Sequence, residues 1–201
     1  QAPIMVPSIR LLDKDLEQAH LVIGTEGPHQ ASSERYTAYI LNAILGGSIS
    51  SRLFQVIREE RGLAYSVYSG LSCFQDTGQL TVYAGTNPKN VPEVLELVMS
   101  EFGRIRNEPI EAPELQRAKD HLRGSLIMGL ESTASRMSQL ARQEMCYGRQ
   151  VSVEEAIRGI EAVSSEDLRR LASSMFQNRP LAMTLLGKLS HIQPVPETLV
   201  A

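Results

Sequence analysis

Two residues of this chain, Arg58 and Tyr65, have types and a spacing that offer chemistry. A guanidinium donates in a planar fork that suits a peptide carbonyl or a carboxylate. A phenol donates to an oxygen on which negative charge develops. The residues between them, EERGLA, read as the end of a helix, a sharp turn at Gly62 and the start of a strand. That geometry sets both groups at one rim. An arginine at a helix end and a tyrosine at a strand start also occur as plain surface packing. On residue type alone, both readings stand.

The elements that must position the pair follow from the flanking sequence. Gly46 and Gly47 break a preceding helix. Ser50 or Ser51 is placed to cap the next one. Leu53, Val56 and Ile57 fall at i, i+3 and i+4 and give it one apolar face. From Tyr65 the period changes to two. Tyr65, Val67, Ser69 and Leu71 share one face of the expected strand; Ser66, Tyr68 and Gly70 share the other.

The whole string SRLFQVIREERGLAYSV, residues 51–67, closely resembles the signature of the C-terminal half of pitrilysin/insulinase-type metallopeptidases, the inverzincins. A looser likeness runs from Asp15 to Lys188. In that family a short peptidase is two similar halves joined by a linker, and the first half carries the zinc motif His-x-x-Glu-His. The second half lacks zinc ligands and supplies an Arg and a Tyr seven positions apart. The resemblance implies that Arg58 holds a backbone carbonyl of a bound peptide. It implies that Tyr65 steadies the attacked carbonyl opposite the metal. Both would then be substrate-binding and catalytic in a zinc metalloendopeptidase. Zinc and the general base are expected in a missing N-terminal half or partner subunit, with no metal ligands here. This segment alone is expected to be inactive.

The rest of the sequence adds no second centre. Neither His-x-x-Glu-His nor His-Glu-x-x-His occurs, and His20, His29, His121 and His191 are far apart. There is no Cys-x-x-Cys and no Gly-x-Ser-x-Gly; Cys73 and Cys146 read as reduced thiols. Gly46-Gly47-Ser48 lacks the preceding strand and following lysine of a phosphate loop, so it reads as a helix-to-helix bend. A net charge of −3 gives no electrostatic case for nucleic acid or an anionic membrane. No apolar run is long enough to span a bilayer. With 42% hydrophobic and 21% charged residues, the composition is that of a soluble globular protein.

Periodicity predicts an α+β fold: an antiparallel-rich sheet with helices packed mainly on one face. Residues 1–14 read as a linker from an upstream half, 15–190 as one domain, 191–201 as a flexible tail. Strands are expected at 17–27, 65–72, 79–85 and 181–187. Helices are expected at 32–45, from 50 or 51 to 61, then 87–106, 114–129, 132–147, 152–162 and 164–175. Met137, Leu140, Ala141 and Met145 read as a core stripe. The partners implied are a peptide or unfolded polypeptide and the zinc-bearing half. Two other functions fit the same residues. One is a zinc-less scaffold or partner subunit of a two-subunit processing peptidase or respiratory complex. The other is a non-cleaving peptide-binding module. An upstream zinc motif separates the first from a peptidase, and a cleavage assay separates the second.

Overall fold

Alternation of apolar and polar residues in 19–27 and 78–86 builds the centre of one five-stranded sheet. The computed structural model describes residues 2–176 and 181–189; the tail expected at 191–201 lies outside them. The strands are β1 (Ser8–Asp13), β2 (Ala19–Gly27), β3 (Ala64–Cys73), β4 (Gly78–Thr86) and β5 (Ala182–Gly187). Their order across the sheet is β1-β5-β2-β4-β3. Every pairing is antiparallel except β1 with β5. The hairpin β3–β4 turns at residues 74–77, where the Phe74 amide donates to the Thr77 carbonyl at 2.8 Å.

One parity of side chains is sealed. Ala19, Leu21 and Ile23 of β2, Leu80, Val82 and Ala84 of β4, and Met183 and Leu185 of β5 are buried. They meet α1 (Arg35–Leu45) and α6 (Ser165–Phe176), which lie directly on the sheet. Thr25 Oγ1 donates to the Met175 carbonyl at 3.0 Å and ties β2 to α6. Behind them pack α2 (Val91–Asn107), α3 (Ala112–Gly129) and α5 (Val153–Glu161). Phe102 of α2 stacks on Phe176 of α6, ring centroids 4.3 Å apart. Helices on one face of an antiparallel-rich sheet are the architecture that the periodicity predicts.

Two local expectations need correction. Residues 8–13, read as part of an arriving linker, form β1. Its partner β5 lies more than 160 residues later, and SIRLLD does not alternate cleanly; no local pattern carries such a pairing. The second concerns α4 (Thr133–Tyr147). Met137, Leu140 and Met145, read as core, are exposed, Met145 by 74%, and only Gln143 of α4 is buried. Helical period identifies an apolar stripe but not what covers it.

Candidate functional site

Arg58 is carried by a segment wider than an α-helix. Phe54–Glu60 winds as a π-helix, a rare form that is frequent at functional sites. Leu53 and Ile57 anchor it, both fully buried. The expected serine cap is absent: Ser51 Oγ instead donates to the Ser48 carbonyl at 2.6 Å. The chain then turns at Gly62, whose φ of +62° is the left-handed region that favours glycine. The Gly62 amide donates to the Arg58 carbonyl at 3.2 Å and the Leu63 amide to the Ile57 carbonyl at 2.9 Å. The Leu63 carbonyl accepts from Thr86 Oγ1 at 2.5 Å and Asn90 Nδ2 at 3.3 Å. Arg58 and Tyr65 are thus held to one turn whose backbone groups are tied at both ends.

Tyr65 does not share the face of Val67 and Ser69, as simple alternation predicts. Ala64 pairs with Thr86 and Ser66 with Gly85, so Tyr65 is the extra residue of a β-bulge. A bulge re-aims one side chain without shifting those that follow. Tyr65 is accordingly 78% exposed, while Val67 and Ser69 remain buried.

The structure brings the two sequence-predicted residues together. The Arg58 guanidinium carbon lies 5.1 Å from the Tyr65 ring centroid and 4.8 Å from that of Phe54. Such contacts use the flat faces of the cation. The Arg58 side chain stays 38% exposed, with Glu59 Oε1 3.8 Å from its Nε. Among the described residues, neither the Arg58 guanidinium nor the Tyr65 hydroxyl makes a hydrogen bond. A forked donor and a phenol therefore stand side by side with their donating capacity unspent. Phe54 was missed in the sequence; its spacing of four from Arg58 on a helix was the available signal.

A second arginine fixes this segment to the domain. Arg52 donates to Glu114 of α3 through Nε and Nη2 at 2.8 and 2.7 Å. Its Nη1 is 3.7 Å from Oε2 of buried Glu101 in α2, and neither atom has a hydrogen-bond partner among the described residues. Glu101 also accepts from Arg104 at 2.9 Å. Hydrogen bonding to Glu114 raises the Arg52 pKa above its ordinary value, against the opposing effect of burial. At the other flank, α1 ends against β3. The Gly46 carbonyl accepts from the Ser69 amide at 3.0 Å, and a Cβ at Gly46 would lie 2.5 Å from that nitrogen. Sequence reading found the glycine bend but not the reason for it.

No group of three or more metal-binding side chains occurs among the described residues. His20 Nδ1 is hydrogen-bonded to the Tyr83 hydroxyl at 2.8 Å, and His191 lies outside the described residues. Burial pushes the Cys73 thiol pKa up, which opposes nucleophilic use. No helix is long and apolar enough to cross a membrane among the described residues.

Comparison with known proteins gives this geometry a family. Residues 4–122 match the family model described as the peptidase M16 inactive domain. An uncharacterized zinc protease of Streptomyces coelicolor is 38% identical over 92% of this chain and 40% of its own length. The uncharacterized zinc protease YmxG of Bacillus subtilis is 39% identical over 81% of this chain and 40% of its own length. The chain thus spans about two fifths of these relatives. Among solved structures, a conserved protein from Enterococcus faecalis superposes with TM-score 0.81 at 26% identity, over 95% of this chain and 44% of that one. A peptidase M16 inactive domain from Pseudomonas fluorescens has the same fold, with TM-score 0.83 at 24% identity over 94% of this chain and 45% of that one. With its matched segment covering more than half of the sequence, the chain belongs to the peptidase M16 inactive-domain family.

Proposed function

We propose that this chain is the substrate-clamping half of a zinc peptidase, with Arg58 and Tyr65 as its working residues. The observation that carries the reading is the exposed Arg58–Tyr65 pair, held on a π-helical turn and a bulge with its donors unspent. The names of the relatives support a zinc peptidase as the whole protein. Zinc, held by an upstream half, supplies the activated water when bound.

The chemistry left to this chain is binding and charge stabilisation. Arg58 donates its guanidinium fork to a carbonyl of an extended peptide and sets the chain's register. As the scissile carbonyl becomes tetrahedral its oxygen gains negative charge, and the Tyr65 hydroxyl donates a hydrogen bond to it. That bond is stronger in the transition state than in the ground state, so it accelerates the reaction. The surrounding turn keeps Tyr65 oriented, so little reorganisation accompanies the step.

The test uses the full-length protein. It is expected to bind zinc stoichiometrically and to cut a quenched peptide. Arg58→Ala should lower kcat/KM by about ten- to a hundredfold, chiefly through KM, since hydrogen bonds to a charged group contribute about 1.5–3 kcal/mol. A full-length protein without zinc or cleavage, or an Arg58→Ala enzyme with normal KM, would overturn the proposal.

A further inference from the structure

Three arginines of one string have carboxylates within reach, and they do not meet them alike. Arg52 closes on Glu114 at 2.7 Å and Arg61 on Glu93 at 3.0 Å. Arg58 has Glu59 as its neighbour in sequence, yet its Nε stands 3.8 Å from Oε1, beyond hydrogen-bond range. Both side chains of that pair are partly exposed, so burial does not hold them apart.

What sets Arg58 apart from the other two is the pair of rings beside it. Its guanidinium carbon lies 4.8 Å from the Phe54 centroid and 5.1 Å from that of Tyr65; neither Arg52 nor Arg61 has such a contact among the described residues. The two rings are not equivalent. Tyr65 ends in a hydroxyl, and the clamp reading gives that hydroxyl to the scissile carbonyl. The Phe54 side chain has no polar atom. It lies on the same π-helical segment as Arg58, next to fully buried Leu53. A spacing of four puts ring and cation on one side of the helix. A ring attracts the flat face of a guanidinium and uses none of its N–H groups. A carboxylate in a fork-to-fork pair would take two of them.

We infer that Phe54 is a positioning residue: its ring holds the Arg58 guanidinium by a face and keeps the fork from closing on Glu59, so the fork stays open to a peptide carbonyl. This rests on the clamp reading of Arg58. Glu59 is then an internal competitor with the peptide for the same donors.

The experiment measures kcat and KM of the full-length protein on one quenched peptide, with thermal melting of each variant as the control for folding. Phe54→Leu keeps an apolar side chain and removes the ring. It should raise KM about three- to tenfold with little change in kcat, the range of a cation–π contact at a partly exposed site. Phe54→Tyr keeps a ring and should retain the wild-type KM. Glu59→Gln removes the competitor. In the Phe54→Leu background it should return KM to within about twofold of wild type, a coupling that a double-mutant cycle reads directly. Loss of packing alone would not be rescued at Glu59. A Phe54→Leu enzyme with wild-type KM overturns the positioning role. So does a raised KM that Glu59→Gln leaves in place. Failure of the clamp reads differently: Arg58→Ala would then keep a normal KM, whatever Phe54→Leu does. A full-length protein that does not cleave the peptide overturns both.

Discussion

Arg52 and Arg58 lie six residues apart in one string, yet the fold uses them in opposite ways. Arg52 is held by its edges: its fork meets the Glu114 carboxylate, and Glu101 lies behind it. Arg58 is held by its faces, over Phe54 and Tyr65, which leaves its edges to bind. The lesson concerns partners rather than residue type. A carboxylate consumes an arginine's hydrogen-bonding capacity, whereas an aromatic ring orients an arginine without consuming it.

Four substitutions sharpen or break that contrast. Arg52→Met should have the largest effect on stability. It leaves Glu101 buried with only Arg104 beside it, and breaking a buried pair costs about 3–5 kcal/mol. At about 2–4 °C per kcal/mol for a chain of this size, Tm should fall by about 10 °C. The same melt of Arg58→Ala should shift little, within about 0.5 kcal/mol for a surface substitution. Equal losses for the two arginines would erase the distinction.

Gly62→Ala comes next. A side chain at φ +62° is strained, at a cost of about 1–2 kcal/mol. Because that turn joins Arg58 to Tyr65, activity should fall together with Tm. A fully active Gly62→Ala enzyme would show that the turn does not set the pair.

Ser164→Ala should be purely structural. Ser164 Oγ accepts the Asp167 amide at 3.1 Å, and the Asp167 carboxylate accepts the Ser164 amide at 3.0 Å. Losing this reciprocal cap of α6 should cost about 1 kcal/mol with unchanged kcat. Hydrogen bonds from Ser164, then Arg170, hold the Asp167 carboxyl below the usual carboxylate range. A lowered folded-state pKa stabilises above the unfolded value, about 3.9, and that contribution fades as pH falls through the folded value. The difference between wild type and Ser164→Ala should therefore be full at neutral pH and shrink in acid.

Much of the fold was legible because its signals are local. Periodicity gave β2, β3, β4 and β5 and the spans of α5 and α6. Edge strand β1 was not legible, since its strand partner among the described residues is at the other end of the chain. The exposed stripe of α4 was misread because an apolar helix face looks the same whether or not the chain itself covers it. At the site, the string named Arg58 and Tyr65. Period two then put Tyr65 on the buried face, because one extra residue in a ladder leaves no mark in composition. Arg52 carried no sign of its carboxylates, which come from α2 and α3.

The most direct measurement is the kcat of Tyr65→Phe in the zinc-loaded, full-length protein, read beside its Tm. Removing one hydroxyl from an exposed ring should leave Tm within about 1 °C of wild type, as for other surface changes. The account predicts a kcat lowered by about ten- to a thousandfold at that unchanged stability. A Tyr65→Phe enzyme with wild-type kcat would contradict it.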